Sequence, residues 1–328
     1  MLHSKILALK QENSRFSIIT PVLDAISLDT CQEIDCSATD SFLTEKKRNI
    51  LNYLKRYDVG YDCKLKAALD EHNEAALYLL FQNKSISIER VCESNHQKTP
   101  DFKILLEGKS FFLEMKTLGF AQGDLNYIDA LDKGLDARVS LEQQSKSGKR
   151  VAIAEVGFDP LQSQKPDYLL CYGTYFIDTI VQKIKQNLKK QQFELGETIL
   201  LIDLCLIDTP FGHKLNSIAF FHEPILKSVV SGLLWHTAFG SLGERVFTPI
   251  RFEGASNIEG QLKTEGILRE FAWIKALCFQ TYNVSRERAI VGFYRSSDED
   301  LILPLLSYFC DFTNDDLNSN AWRILQSI

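Results

Sequence analysis

Several motifs that would assign a function directly are missing from this chain. The eight cysteines include no C-x-x-C pair, which argues against a zinc or iron–sulfur site. The six histidines show no H-E-x-x-H spacing, and no G-x-x-x-x-G-K-[ST] phosphate loop occurs. Neither a zinc protease nor a P-loop motor is therefore indicated, and the histidines are expected in core or surface positions. No internal repeat or low-complexity tract is found.

Long apolar runs and excess positive charge are missing as well. No segment reaches the roughly 18 uncharged apolar residues that span a bilayer, so we expect a soluble, cytoplasmic protein with reduced thiols. The formal net charge is -6, from 37 Lys and Arg against 43 Asp and Glu, and such a charge repels a polyanion. Any contact with a nucleic acid must therefore come from local basic clusters.

The sequence does contain enough apolar material for a packed core, because 45% of its 328 residues are hydrophobic. Helical periodicity appears at 43–57 and again at 64–83, and an alternating strand pattern follows at 85–94. These patterns predict an N-terminal helical extension over 1–62 and the beginning of an α/β domain.

Further elements are predicted along the rest of the chain. The segment 174–195 reads as one long helix that Gly196 ends, and the apolar run at 197–207 is typical of a strand buried on both faces. Residues 120–173 are interpreted as an insertion. The weaker predictions are a short helix within 134–150, a strand at 151–158, helices at 266–280 and 301–309, and a strand at 289–295.

One stretch, TPDFKILLEGKSFFLEMKTLG at 99–119, contains two strand-like runs with a turn signal between them. The pair Glu107-Gly108 lies midway between DFKILL and SFFLEM, where a two-residue hairpin turn is expected. This turn fixes the register of every later pair in the hairpin. Asp101 is then predicted to lie directly opposite Glu114.

Two carboxylates in that position need a positive partner, because like charges directly opposite each other on paired strands are destabilising. Lys116 lies two residues beyond Glu114, so the alternation of side chains places its amine on the same face. A hard divalent cation bound by carboxylate oxygens fits this geometry better than lysine alone. A solvated salt bridge of Lys116 is the alternative, and a one-residue slip in register would separate the carboxylates.

These residues resemble the signature of the PD-(D/E)XK nuclease superfamily, whose members have a restriction-endonuclease-like fold. Pro100-Asp101 matches the PD, and Glu114-Met115-Lys116 matches the E-x-K. The family core runs helix, three-stranded meander, helix and strand, an order that this chain offers between 64 and 207. The resemblance implies an α/β core at 63–208, with a mixed central sheet flanked by helices. An α/β elaboration at 209–328 would follow, and it could pack on the same core.

The resemblance also implies roles for individual residues. Asp101 and Glu114 would bind Mg²⁺ or Mn²⁺, with the backbone carbonyl of Met115 as a third protein ligand. Lys116 would orient or activate the attacking water. Many members add a glutamate from the first helix, for which Glu74 is the choice here. The competing residues in that helix are Asp70 and Glu71.

Contacts to the substrate are predicted on the later helix. Lys183 and Gln186 are candidates for the polar or basic residue that this family often uses there, and Lys189 and Lys190 for contacts to the phosphate backbone. The predicted activity is Mg²⁺-dependent phosphodiester hydrolysis, with DNA favoured over RNA and with no membrane partner. A homodimer, or a partner protein that directs cleavage, is compatible with the sequence. The alternatives are an RNA-directed nuclease and a non-catalytic nucleic-acid-binding or assembly subunit.

Overall fold

In the computed structural model, the described residues are 1–13, 20–37, 39–55, 62–92, 98–118, 127–148, 151, 153, 172–207, 220–223, 228–230, 232–247, 258–282 and 288–317. The chain forms two compact units: Met1–Ala76 with Gln122–Gln162, and Leu77–Ala121 with Ser163–Ile328. Among the helices in the described ranges, none is both long and apolar enough to cross a bilayer.

The first unit is helical in its described part. Its helices are α1 (Leu2–Asn13), α2 (Thr20–Ala25), α3 (Leu28–Cys36), α4 (Ser41–Lys55), the portion of α5 (Asp62–Asn83) that ends at Ala76, and α6 (Tyr127–Lys146). Helix α4 confirms the predicted amphipathic helix, since Leu43, Ile50 and Leu54 are buried along one face. The carboxylate of Asp35 accepts the first backbone N–H groups of α1, which have no partner within their own helix.

The second unit is built on a seven-stranded sheet with the spatial order β1-β2-β3-β4-β9-β10-β11. The strands in chain order are β1 (Ser87–Arg90), β2 (Phe102–Leu106), β3 (Lys109–Thr117), β4 (Thr198–Asp203), β5 (Phe220–Glu223), β6 (Ser228–Val230), β7 (Arg245–Phe247), β8 (Ile258–Gln261), β9 (Ile274–Tyr282), β10 (Arg288–Tyr294) and β11 (Phe312–Asp315). Strands β5 and β6 form a separate pair, as do β7 and β8. The helices of this unit are the end of α5, then α7 (Tyr172–Asn187), α8 (Leu233–Phe239), α9 (Ile267–Glu270) and α10 (Glu299–Phe309).

The large sheet is mixed, as predicted. Strands β1, β2 and β3 form an antiparallel meander, and β3, β4 and β9 run parallel to one another. From α5 to β4 the elements follow the predicted order of helix, meander, helix and strand. Strand β4 is buried along its whole length, which confirms the interpretation of its continuous apolar run. The C-terminal part of the chain adds β9, β10 and β11 to this same sheet.

Three sequence predictions are wrong in detail. The helix expected at 266–280 is only the short α9, and most of that segment is β9. Its apolar residues recur closely enough to suggest a helix, but β9 lies between β4 and β10 and is buried on both faces. The helix expected within 134–150 is longer, beginning at Tyr127 as α6. Val151 and Ile153 are not in a strand, and the rest of 151–158 lies outside the described residues.

A fourth correction concerns the helix predicted at 174–195. Helix α7 ends at Asn187, and a short 3-10 helix follows at Lys190–Phe193. The chain turns here because Gln192 and Phe193 are both buried, with Phe193 packed edge-on against Trp273 at a centroid distance of 4.5 Å. A straight continuation of α7 would carry these side chains away from those contacts.

Arg295, which follows β10, is expected to be a major contributor to the stability of the second unit. Its guanidinium donates hydrogen bonds to the carbonyls of Leu268, Phe271 and Ile274, and it pairs with Asp298 at 3.3 Å. Arg295→Met leaves these carbonyls without their charged donor, so we expect the free energy of unfolding to fall by about 2–4 kcal/mol in urea titration. Arg138→Met is the control, because the Arg138 side chain is 78% exposed. A loss below about 1 kcal/mol for Arg295→Met would contradict this role.

Candidate metal centre

The hairpin between β2 and β3 has the predicted turn and the predicted register. Glu107 and Gly108 have φ angles of 49° and 79°, the positive pair that a type I′ two-residue turn requires. Pairing runs from Leu106 with Lys109 to Phe102 with Leu113. A slip of one residue would move the β3 side chains to the opposite face, so this turn decides the face on which Glu114 lies.

The ladder ends one residue before the predicted pair of acids. The β2–β3 pairs end at Phe102 with Leu113, and the backbone carbonyl of Asp101 accepts a hydrogen bond from the N–H of Val91 on the β1 side at 3.0 Å. Its carboxylate Oδ2 accepts the backbone N–H of Met115 at 2.8 Å. The side chain of Asp101 therefore takes over the hydrogen bond that another residue of β2 would have made with β3, and it remains beside Glu114.

The backbone of Met115 points toward Asp101. Along β3 the N–H groups of Phe112 and Leu118 donate to carbonyls on the β4 side, whereas the N–H of Met115 points to the β2 side. The N–H and C=O of one residue in a strand point in the same lateral direction, so the Met115 carbonyl also lies on the Asp101 side. This orientation fits the prediction that the Met115 carbonyl is a ligand.

Glu114 is fully buried, with 0% of its side chain exposed. Its Oε1 accepts a hydrogen bond from Nε2 of Gln192 and pairs with the ammonium of Lys116. Its Oε2 is also buried, but it accepts no hydrogen bond from any residue in the described ranges. Burial and the charge of Asp101 raise the pKa of Glu114 from its ordinary value of 4.5 to about 7, against the opposing effects of Lys116 and Gln192.

Lys116 lies on the same face as Glu114, as the spacing of two residues predicts, and 29% of its side chain is exposed. Its ammonium partly offsets the repulsion between the two carboxylates. The Lys116 ammonium does not satisfy Oε2 of Glu114, which is a buried acceptor without a hydrogen-bond donor in the described ranges. Buried polar atoms are nearly always hydrogen-bonded or bound to an ion or water, so this oxygen points to a ligand.

The donor set suits a hard cation. Carboxylate and carbonyl oxygens are the ligands that Mg²⁺ and Mn²⁺ prefer, and Mg²⁺ is usually held by one or two carboxylates while it keeps several waters. In the part of the chain that the structure describes, no group of three or more His, Cys, Asp or Glu residues is arranged to hold a metal. The residues that would hold a cation here are Asp101, Glu114 and, through its carbonyl, Met115, with water completing the coordination.

Sequence reasoning missed Gln192. It belongs to the polar segment KKQQFE, in which no periodic pattern separates the buried glutamine from its exposed neighbour Gln191. The only sequence signal was its position shortly before the buried strand β4. Contact with Glu114 depends on where α7 ends, and that was predicted wrongly.

Glu74 lies on α5 in the first unit, where its carboxylate pairs with the ammonium of Lys46. Lys46 is buried and also binds Glu71 at 2.8 Å, while Asp70 pairs with Lys66 at 3.4 Å. All three acids considered for the first helix therefore take part in ion pairs within the first unit. The catalytic role of Glu74 stays a prediction.

The four residues predicted to contact the substrate lie in two parts of the structure. Lys183 and Gln186 are on α7, the first partly buried and the second exposed. Lys189 and Lys190 follow the end of that helix and are exposed. Lys190 begins the 3-10 helix whose Gln192 binds Glu114, and Lys189 directly precedes that helix. Their role in binding phosphate stays a prediction.

Comparison of the chain with protein-family models, with curated proteins and with solved structures finds no match. The geometry of the Asp101, Glu114, Lys116 and Gln192 cluster is therefore the basis for assigning a function.

Proposed function

We propose that the protein is a Mg²⁺-dependent nuclease with a restriction-endonuclease-like core, and that it hydrolyses phosphodiester bonds, most readily those of DNA. The observation that carries this proposal is the buried Glu114, whose Oε2 has no hydrogen-bond donor in the described ranges, beside Asp101 and Lys116 on a hairpin of the predicted register. A buried carboxylate in this state costs stability, and a cation that binds it offsets that cost.

The proposal assigns metal binding and the orientation of water to different residues of the cluster. Asp101, Glu114 and the Met115 carbonyl would hold the ion. When bound, a divalent ion in such a site supplies a Lewis acid for a phosphoryl oxygen and lowers the pKa of its water. Lys116 is partly exposed at the edge of the cluster, so its ammonium can orient the attacking water and stabilise negative charge that develops on the phosphoryl group.

The arrangement of elements around the cluster supports the proposed family. The helix, antiparallel meander, helix and parallel strand that run from α5 to β4 are in the order of the PD-(D/E)XK core. The motif residues lie on the second and third strands of that meander or directly beside them. The residues between β3 and α7 form the insertion, which contains α6.

Exposed lysines in the segment that carries Gln192 would provide the positive charge that a nucleic acid needs, despite the net negative charge of the chain. Lys189 and Lys190 would contact backbone phosphates, with Lys183 and Gln186 on α7 as further contacts. By analogy at the level of the fold, a cytoplasmic role in restriction, repair or anti-phage defence suits such a nuclease, alone, as a homodimer or with a protein partner.

The proposal is tested by a cleavage panel with the full chain. Linear and circular duplex DNA, single-stranded DNA and RNA are each incubated with Mg²⁺, Mn²⁺ or EDTA. We expect cleavage of DNA with Mg²⁺ or Mn²⁺ and none with EDTA. Cleavage of RNA alone would reassign the substrate. No cleavage, together with no binding of Mn²⁺ in a calorimetric titration, would instead favour a non-catalytic assembly subunit.

A further inference from the structure

Gln192 makes a contact that the proposed nuclease chemistry does not by itself require. Its side-chain amide donates to Oε1 of Glu114, the same oxygen that pairs with Lys116. Two donors therefore converge on one oxygen of the carboxylate, and within the described ranges none reaches the other. The two oxygens of Glu114 therefore differ in hydrogen bonding: Oε1 has two partners, and Oε2 has none in the described ranges.

The position of Gln192 is fixed by the fold. The 3-10 helix Lys190–Phe193 has a backbone hydrogen bond from the N–H of Gln192 to the carbonyl of Lys189 at 2.9 Å. The next residue, Phe193, is packed against Trp273. Gln192 itself is buried, and its Oε1 is a second buried oxygen that accepts no hydrogen bond from the residues described. The backbone around Gln192 is therefore fixed, and its buried amide is held beside Glu114.

We infer that Gln192 is a positioning residue that makes Glu114 a one-oxygen ligand and thereby favours Mg²⁺ and Mn²⁺ over Ca²⁺ at this site. The inference rests on the proposed function. Because Oε1 accepts the hydrogen bond of Gln192 and pairs with Lys116, only Oε2 would be left for a cation, and Glu114 would bind it through one oxygen. Ca²⁺ takes six to eight oxygen ligands and often binds carboxylates through both oxygens, whereas Mg²⁺ is satisfied by single contacts and water.

A purely structural role for Gln192 predicts a different pattern. If the amide only stabilised the packing between its 3-10 helix and β3, its removal would lower the melting temperature and weaken the binding of all cations in proportion. If it restricts Glu114 to one oxygen, its removal changes the preference between cations. The ratio of two affinities measured on one folded protein separates these roles, because a common loss of stability cancels.

The test compares wild type with Gln192→Leu and Gln192→Met, two variants of similar length that cannot donate the hydrogen bond. The matched control is Gln191→Leu, because Gln191 is the exposed neighbour in the same 3-10 helix. Dissociation constants for Mn²⁺ and Ca²⁺ are measured by calorimetry, with the melting temperature of each protein recorded. If Gln192→Leu does not fold, the same ratio is measured on Gln192→Met.

We expect loss of the amide to weaken Mn²⁺ binding roughly 10- to 100-fold, as removal of residues that orient metal ligands usually does. Ca²⁺ binding should be weakened less or strengthened, so the preference for Mn²⁺ falls by about tenfold, while Gln191→Leu keeps the wild-type ratio. An unchanged ratio in both Gln192 variants, with wild type still binding Mn²⁺, overturns this inference and leaves the proposed function intact. Failure of wild type to bind Mn²⁺ overturns both.

Discussion

Asp101→Asn and Lys116→Met are expected to lower the rate of DNA cleavage by about 10²–10³-fold or more, because each removes a charge that acts at the reacting phosphate or on its metal ion. The two variants should differ in metal binding. Asp101→Asn removes a proposed ligand and should weaken Mn²⁺ binding, whereas Lys116→Met removes a positive charge beside Glu114 and should leave Mn²⁺ binding intact or strengthen it. Single-turnover cleavage and calorimetry measure the two effects separately.

The chain offers close controls for both substitutions. Lys109→Met removes an exposed lysine at the other end of the same strand, β3, and Glu89→Gln removes an exposed acid from β1. Both control proteins should cleave at the wild-type rate. Wild-type cleavage by Asp101→Asn would rule out the proposed centre, since this substitution removes the charge of a proposed metal ligand but keeps an oxygen that can accept the Met115 N–H.

Glu114→Gln is expected to raise the free energy of unfolding at pH 8 in EDTA while abolishing the binding of Mn²⁺. The pKa of Glu114 is about 7 in the folded protein, against an ordinary value of 4.5. Between these values the folded state holds a proton that the unfolded state has lost, so the contribution of Glu114 to stability falls as the pH rises. Above pH 7 the buried carboxylate is ionised, and at about 1.4 kcal/mol per pKa unit the cost is on the order of 3 kcal/mol.

Urea titration at pH 5 and pH 8 compares the free energy of unfolding of wild type with that of Glu114→Gln. The variant should gain stability relative to wild type as the pH rises, because a neutral amide does not ionise. The ion pair lost with Lys116 offsets little, since that ammonium is partly exposed. A pH-independent difference for Glu114→Gln would contradict the raised pKa of Glu114.

Addition of Mn²⁺ should reverse the order of the two proteins. A ligand that binds only the folded state stabilises it by mass action, so wild type should become more stable with Mn²⁺ while Glu114→Gln should not. A residue that costs stability without its ligand and gains it with the ligand is expected at a binding site rather than in a structural core.

The local parts of this site were predictable from the sequence. Glu107-Gly108 provides the positive φ angles of a two-residue turn, and that turn fixes the register of the hairpin. The alternation of side chains then places Glu114 and Lys116 on one face. Each of these steps depends on residues within about ten positions of one another, so one sequence contained the necessary information. The presence of strands at the positions of β1 to β4 followed from the same alternating and continuous apolar patterns.

Contacts between distant segments were decided only by the tertiary structure. The pattern at 266–280 fits a helix by periodicity, but its place between β4 and β10 makes it a strand, because burial on both faces outweighs local preference. The segment after α7 turns at Asn187 so that Phe193 can pack on Trp273, and this turn brings Gln192 to Glu114 across 78 positions of sequence. The sequence by itself determined which face of the hairpin carries the acids and the lysine. Only packing decided which oxygen of Glu114 is left for a ligand.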